Sequence, residues 1–326
     1  MDVQSRTDFK FKPIINDTLR SAENTSHTTF DAKRHLSFTE SPKVLTMKDI
    51  GAENTGISPV AVSEPFPLFT QEAILAMRTE ILKPEVWENC LYSTEFAACQ
   101  LRGHCPKYAP FMYDAWKDPR TISIVSKIAG IDLVPIVDYE IGNINIAVAD
   151  ESRKSVTGDT AGVTHLHRDS YPFVCVVMMS DASNMVGGET AVKTASGEII
   201  KVRGPQMGCA VVLQGRYIDH QALAATRGSE RITMITAYRP RDPMLQDDSV
   251  LTSIRPISNL SEIYFQWSDY RLEVLEERIR ALRKVMWIQH SLGRDTDTKR
   301  VKAFLRDQEE YLTQTNKEII ENIGKV

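Results

Sequence analysis

Two histidines and an aspartate alternate along the segment HLHRDSYPF, residues 165–173. In a β-strand every second side chain points to the same side, so the alternation predicts one face that carries His165, His167 and Asp169. Imidazole nitrogens and carboxylate oxygens are common ligands of transition metals. Either this face lies in solvent and the three residues have no joint role, or it faces a cavity and holds a ligand there.

A reactive metal site needs a third ligand from elsewhere in the chain. Two histidines and one carboxylate on one side of a ferrous ion leave its other coordination positions open for dioxygen and a co-substrate. His167 and Asp169 offer two such ligands from one segment. The other histidines of the sequence, apart from His165, are His27, His35, His104, His220 and His290. His220 ends the strand-like run CAVVLQGRYID, 53 residues after His167, and is the candidate third ligand.

An arginine in the strand-like segment ERITMITAYRP indicates an anionic ligand. Arg231 lies eleven residues after His220, and alternation places Thr233 on the same strand face. A guanidinium binds a carboxylate through two parallel hydrogen bonds, and a hydroxyl two residues further on adds another. An arginine at the start of an inward-facing strand therefore predicts an acid bound in a cavity.

Taken together, these elements resemble the Fe(II)- and 2-oxoglutarate-dependent dioxygenase superfamily. The matching segments are HRD at 167–169, GGET at 187–190, His220, and RIT at 231–233. Members of that superfamily combine a His-x-Asp pair, a distal histidine and a following Arg-x-Ser/Thr in this order. The resemblance covers roughly residues 135–240, about a third of the chain. The order of segments along the chain is also similar to that of fungal oxygenases of secondary metabolism, including enzymes that oxidise amino acids.

The resemblance implies a set of cofactors and a role for each site residue. It implies that His167, Asp169 and His220 bind Fe(II), and that Arg231, helped by Thr233, holds the distal carboxylate of the co-substrate 2-oxoglutarate. Dioxygen then oxidises 2-oxoglutarate to succinate and CO2, and an unactivated C–H bond of a small-molecule substrate is oxidised by hydroxylation, desaturation or cyclisation.

Two asparagines are further candidates for binding the co-substrate. The segment NINIAV alternates Asn143 and Asn145 with isoleucines, which predicts a strand with one polar face. The resemblance implies that Asn143 or Asn145 donates a hydrogen bond to the metal-bound end of 2-oxoglutarate. His165 shares the predicted ligand face and is expected to have a structural role, or otherwise to lie beside the metal ligands or the substrate.

Composition excludes several other classes of protein. The 326 residues are 42% hydrophobic, enough for a substantial core, and the net charge of −4 with no basic cluster argues against nucleic-acid binding. The five cysteines are odd in number and have no CxxC spacing, which argues against a disulfide framework and against a zinc–thiolate site. No apolar run of 18 residues occurs, so we expect no membrane span and a cytoplasmic location.

The pattern along the chain predicts an α+β fold whose core is a double-stranded β-helix, the jelly-roll of cupin-like proteins, flanked by N-terminal and C-terminal helices. Residues 1–58 are polar and predict a largely disordered or draped arm. Residues 59–260 predict the oxygenase domain, with helices after Thr70 and over 119–130 followed by short β-branched segments separated by turns. Residues 261–326 predict a helical extension.

Within that extension, apolar residues recur at spacings of three and four, typical of an amphipathic helix. They are Leu272, Leu275, Ile279, Leu282 and Met286. This stripe predicts either packing on the protein's own barrel or the contact surface of a homodimer.

Two other functions are compatible with the same residues. A cupin-type metalloenzyme that uses no 2-oxoglutarate would take His165 as a further ligand, but it has no need of Arg231. A catalytically idle jelly-roll that serves as a binding or scaffold protein would not take up Fe(II).

Overall fold

The computed structural model describes residues 28–93, 99–148, 166–183, 185–202, 206–223, 225–227 and 230–321. Its α-helices are α1 (Ala32–His35), α2 (Gln71–Ile81), α3 (Pro84–Cys90), α4 (Pro110–Lys117), α5 (Pro119–Ala129), α6 (Leu260–Ser291) and α7 (Thr298–Glu318). Its strands are β1 (Val44–Thr46), β2 (Val60–Ser63), β3 (Phe66–Pro67), β4 (Leu91–Tyr92), β5 (Cys99–Leu101), β6 (Leu133–Pro135), β7 (Asn143–Val148), β8 (Phe173–Met178), β9 (Val186–Gly187), β10 (Thr190–Lys193), β11 (Ile199–Val202), β12 (Cys209–Leu213), β13 (His220–Ala222), β14 (Ala225–Arg227) and β15 (Glu230–Pro240).

The strands form one large antiparallel sheet and two small ones. The large sheet has the order β1-β2-β12-β8-β15-β7-β5-β4, with β3 added on β12 and β6 on β15. The small sheets are β11-β10-β13 and β14-β9. At the centre of the large sheet the neighbours β12, β8, β15 and β7 are mostly far apart in sequence, as when two sheets are wound together from one chain. The predicted α+β fold with a double-stranded β-helix core is confirmed.

The two faces of the large sheet belong to different parts of the core. On the outer face, Ile144, Met234 and Cys175 pack in one apolar cluster with helices α2, α4 and α5. On the inner face, Val174 and Leu213 pack in a second cluster with residues of the small sheet β11-β10-β13. Because successive strand residues point to opposite faces, this division determines which polar residues face the inside of the barrel.

Two helix boundaries that the sequence predicts are confirmed. The hydroxyl of Thr70 accepts a hydrogen bond from the amide of Ala73 and caps the start of α2. Helix α5 ends at Gly130, which has a φ of 70°, a conformation that glycine adopts without the steric cost of a Cβ. These helices cover the outer face of the large sheet.

Part of the predicted N-terminal arm packs on the barrel. Strand β1 pairs with β2, and the side chains of Met47 and Ile50 are buried in the inner cluster. His35 is buried between Phe30 and Phe111, whose rings lie 5.5 and 5.0 Å from it. Residues 1–27 lie outside the described residues, and the predicted domain boundaries stay a prediction.

Helices α6 and α7 occupy the predicted extension, and the apolar stripe of α6 is divided between two environments. Leu275 packs against the inner cluster, whereas other members are exposed. The buried side of α6 carries Trp267, Tyr270 and Val274, whereas Leu272 and Ile279 are 56% and 42% exposed. The side of α6 that packs on the protein carries large aromatic side chains, which bury more apolar surface than leucine does. None of the described helices combines the length and the apolar character that crossing a membrane requires.

Candidate metal centre

His167 and Asp169 lie in an irregular segment before β8, not in the continuous strand that the sequence predicts. The main chain of His167 forms an isolated bridge with that of His220, and the two amides each donate to the other's carbonyl at 2.9 Å. Two residues later the amide of Asp169 donates to the carbonyl of Gly215, also at 2.9 Å. These backbone contacts hold the segment extended against the turn that precedes His220.

His220 starts a strand, whereas the sequence predicts that it ends one. Strand β12 stops at Leu213, the chain turns over the next six residues, and His220 opens β13 opposite Val192. The turn brings His220 back beside His167, with ring centroids 4.6 Å apart. The predicted pairing of the two histidines across 53 residues is therefore present in the structure.

One ligand atom from each of the three side chains can be chosen so that all lie within 4.8 Å of one another. The Nε2 atom of His167 is 3.7 Å from Oδ1 of Asp169, and the Nε2 atom of His220 is 3.5 Å from Oδ2 of the same carboxylate. Within the described part of the chain, these three residues are the group of histidine, cysteine and acidic side chains that could hold a metal ion. Its chemical composition matches the two-histidine, one-carboxylate site of non-haem iron proteins.

The protonation of the site also fits a metal ion. The Nδ1 atom of His220 is 3.1 Å from the carbonyl oxygen of Ile218. Since a carbonyl only accepts, Nδ1 carries a proton, and Nε2 is the ring nitrogen that remains to bind a metal ion. Burial raises the pKa of Asp169, but the neighbouring histidines, His220 first, outweigh it and hold the pKa well below its usual range.

Oδ2 of Asp169 is buried and has no hydrogen-bond partner. Buried carboxylate oxygens are seldom left unpaired, because the desolvation cost is then uncompensated. A Cβ at Gly215 would lie 1.8 Å from this atom, so only glycine leaves room for the carboxylate. The unpaired oxygen of Asp169 and the absence of a side chain at 215 both fit a divalent cation bound by these three residues.

Arg231 and Thr233 face the inside of the barrel, as predicted. Ile232 and Met234 belong to the outer cluster, so the alternate residues of β15 face inward. Nε of Arg231 is buried without a hydrogen-bond partner, and burial lowers the pKa of this guanidinium. Among the described residues no carboxylate forms an ion pair with Arg231.

The GGET segment lies beside this arginine. A Cβ on Gly188 would be 3.6 Å from Nε of Arg231, and the residue has a φ of 76°, which strains any L side chain. Gly188 precedes β10, and β10 pairs with the β13 strand that carries His220. The same small sheet therefore approaches both the metal ligands and the arginine.

Asn143 and Asn145 also face inward, but both have protein partners. Cα register places Asn145 opposite Thr233 of β15. The amide of Asn143 donates to Oε2 of Glu140 at 2.8 Å, while its own Oδ1 is buried and unpaired. The side-chain oxygen of Asn145 accepts from Gln100 at 2.8 Å. The expected contacts of both asparagines with 2-oxoglutarate stay a prediction.

Sequence reasoning missed several polar residues that continue this inner face. Gln100 on β5 lies opposite Asn145 on β7, and the Oε1 atom of Gln100 is buried without a partner. Arg102 forms a buried ion pair with Glu140 at 2.5 Å, and its Nε is unpaired. Strand β5 has three residues, too few for alternation to be recognised, so no pattern indicated these side chains. His165 lies outside the described residues.

Comparisons of structures find similar folds among solved oxygenases, whereas no protein-family model and no curated protein sequence matches the chain. A 2OG-Fe(II) oxygenase family protein from Burkholderia pseudomallei is 19% identical, with a TM-score of 0.32 over 45% of this chain and 65% of its own. A prolyl-4-hydroxylase from Pseudomonas putida is 19% identical, with a TM-score of 0.35 over 53% and 88%.

HygX from Streptomyces hygroscopicus, solved with nickel and 2-oxoglutarate bound, is 15% identical, with a TM-score of 0.37 over 60% of this chain and 88% of its own. The alignment thus spans just under two thirds of the Burkholderia protein and most of the other two. These proteins are what this chain is similar to, and its activity has to be inferred from its own site.

Proposed function

We propose that the protein is a non-haem Fe(II)- and 2-oxoglutarate-dependent oxygenase that acts on a small molecule. The observation that carries the proposal is the convergence of His167, Asp169 and His220 in a barrel whose inner face also holds Arg231, with its Nε atom buried and without a partner. A metal site alone is compatible with many activities. A metal site combined with an uncompensated buried cation favours a co-substrate that is both a chelator and an acid.

His167, Asp169 and His220 would hold the metal ion. The two imidazoles would supply neutral nitrogen atoms, and the carboxylate of Asp169 would offset part of the metal charge. When bound, Fe(II) supplies the activation of dioxygen that these side chains cannot perform themselves.

Arg231 and Thr233 bind and orient the co-substrate. The guanidinium pairs with the distal carboxylate of 2-oxoglutarate, and the Thr233 hydroxyl, on the same strand face, adds a hydrogen bond. This places the keto-acid end toward the metal. The pairing also removes the energetic cost of the buried charge, because the arginine is desolvated in the protein whether or not the acid is bound.

The polar inner face of β5 and β7 binds the substrate or the metal-proximal end of 2-oxoglutarate. Gln100 and Asn143 each present a buried acceptor without a partner, and Arg102 presents a buried donor. Three unpaired groups on neighbouring strands suit a small molecule with polar substituents better than a purely apolar one. Candidate substrates are an amino acid or an intermediate of secondary metabolism.

The overall reaction balances as substrate, 2-oxoglutarate and O2 giving oxidised substrate, succinate and CO2. Hydroxylation is the default outcome, in which one oxygen atom enters the substrate and the other enters succinate. Desaturation and cyclisation are variants in which water is released. The five cysteines are free thiols, which fits the cytoplasmic location that we propose.

Anaerobic absorption spectroscopy tests the proposal. Protein loaded with Fe(II) should develop a weak visible charge-transfer band when 2-oxoglutarate is added, and admission of O2 should then give succinate and CO2 in equal amounts. His167→Ala should lose both signals. Arg168→Ala is the matched control, since the side chain of Arg168 points to the surface, where it pairs with Asp219 at 2.9 Å, and it should retain both.

The two other functions give different results in the same experiment. A cupin-type metalloenzyme would bind Fe(II) without responding to 2-oxoglutarate. An idle scaffold would not bind Fe(II). Either outcome would overturn the proposed activity.

A further inference from the structure

The outer side of helix α6 carries apolar side chains at intervals of seven residues. Phe265, Leu272, Ile279 and Met286 are 65%, 56%, 42% and 40% exposed. Repetition every seven residues keeps side chains on one side of a helix that winds around a partner helix. Isolated exposed apolar residues are ordinary, but a row along one helix indicates a contact surface.

A second row completes the pattern. Three residues after each member of the first row come Ser268, Leu275, Leu282 and Gln289, which are partly buried. We call these eight positions the α6 seam. The seam spans residues 265–289, about 36 Å of helix. The opposite side of α6 packs on the protein through Trp267, Tyr270 and Val274. At the edge of the seam, Leu275 also packs against the inner cluster, and Leu282, Met286 and Gln289 line a cavity together with Arg294 and Val301.

The exposed charges of α6 are divided between its two halves. The acidic residues Asp269, Glu273, Glu276 and Glu277 come first, and the basic residues Arg280, Arg283 and Lys284 follow. Two such helices in parallel would place acid beside acid and base beside base. In antiparallel orientation each acidic half faces a basic half, so the charge pattern complements a reversed copy of itself.

The seam also has a self-consistent antiparallel register. With a two-fold axis at residue 277, Leu272 meets Leu282 of a second copy, and Ile279 meets Leu275 of a second copy. The same register sets Asp269 against Arg283 of the second copy, offset by two residues or about 3 Å along the axis. Within the described chain neither Asp269 nor Arg283 forms an ion pair. Glu276, which meets itself near the axis, is neutralised by Arg280 of its own helix.

We propose that α6 binds α6 of a second copy of this chain, antiparallel and along the α6 seam, to form a two-fold symmetric homodimer. Such an interface is isologous, because each copy contributes the same surface. The partner is identified by the helix itself, since its charges complement a reversed copy and not a parallel one.

Sedimentation equilibrium of the full chain tests the dimer. The wild-type protein should have twice the 36.8 kDa mass of one chain. Ile279→Lys should give a monomer, because it places a charge in a central layer of the seam. Ile288→Lys is the matched control: Ile288 lies on the same helix and is 48% exposed, but outside the seam, and this variant should remain dimeric.

Exchange of charges tests the orientation. Asp269→Arg and Arg283→Asp should each weaken dimerisation several-fold, and the double variant should recover it, while circular dichroism confirms that all variants are folded. A monomeric wild-type protein would overturn the proposal, including the case in which another segment of the same chain covers the seam. Equal dimerisation of the Ile279→Lys and Ile288→Lys variants, or no recovery in the double variant, would overturn it too.

Discussion

Replacement of Arg231 by methionine separates a functional arginine from a structural one. The Nε atom of Arg231 is buried and has no partner, and no described carboxylate pairs with the guanidinium. If the arginine exists to bind 2-oxoglutarate, the free protein holds an unfavourable desolvated charge that only the co-substrate compensates. Arg231→Met should therefore leave the melting temperature of the free protein unchanged or raise it, while it weakens binding of the acid.

The size of the loss follows from the kind of interaction. Removal of one partner from a buried charge-assisted pair costs on the order of 2–5 kcal/mol. At about 1.4 kcal/mol per factor of ten, the Kd for 2-oxoglutarate should rise between roughly 30-fold and several thousand-fold. The Kd for the metal ion should not change, because the three ligands are untouched. Arg231→Lys should recover part of the affinity, since an ammonium keeps the charge but not the two parallel hydrogen bonds.

Anaerobic calorimetry with Fe(II)-loaded protein measures these constants, and thermal unfolding of the free protein measures stability. Arg102→Met is the matched control, because Arg102 is also buried but pairs with Glu140. Loss of Arg102 leaves a buried carboxylate uncompensated and should destabilise the protein by about 3–5 kcal/mol. If Arg231→Met binds 2-oxoglutarate normally, or if it destabilises the free protein as much as Arg102→Met does, the reasoning about Arg231 is wrong.

Three further predictions concern the metal ligands and the core. Gly215→Ala should weaken metal binding on the order of 10- to 100-fold, because the new Cβ would displace Oδ2 of Asp169. Gly197→Ala is the control, since a Cβ there meets nothing within 4 Å, and it should leave metal binding unchanged. Equal metal affinities of the two variants in a metal titration would contradict this. Burial lowers the pKa of His104 from 6.5 to about 4. Between pH 6.5 and pH 4, His104 is therefore protonated in the unfolded chain but neutral in the folded protein. The free energy of unfolding should fall as the pH falls through that window, by about 3 kcal/mol relative to His104→Asn, and parallel pH profiles of the two proteins in denaturant titrations would refute the assignment. Glu80→Gln should destabilise the protein by about 1–3 kcal/mol, because the carboxylate accepts hydrogen bonds from two backbone amides at the start of α4. An unchanged denaturation midpoint would contradict this role of Glu80.

Much of the fold could be predicted from the sequence because local signals agreed with the final structure. Thr70 and Gly130 mark real helix ends, and the alternation of β7 and β15 correctly separates their inner and outer faces. The convergence of His167, Asp169 and His220 was also predictable, because a metal site requires particular residue types.

Other features depended on contacts between distant segments. The alternation around His167 looks like a strand, but the segment forms only an isolated bridge with His220 and one bond to Gly215 in the preceding turn, not a continuous ladder. The apolar stripe of α6 predicted a contact surface but not which side of the helix packs on the barrel, since Trp267 and Tyr270 compete for that side. Gln100 and Arg102 join the inner face only through pairing of the short β5 with β7.

Anomalous scattering from crystals grown anaerobically with Mn(II), as a redox-stable substitute for Fe(II), tests the central claim most directly. The proposed function predicts a single strong peak within the barrel, at coordination distance from Nε2 of His167, a carboxylate oxygen of Asp169 and Nε2 of His220. A protein that takes up no metal, or a peak bound by other side chains with these three apart, would contradict it.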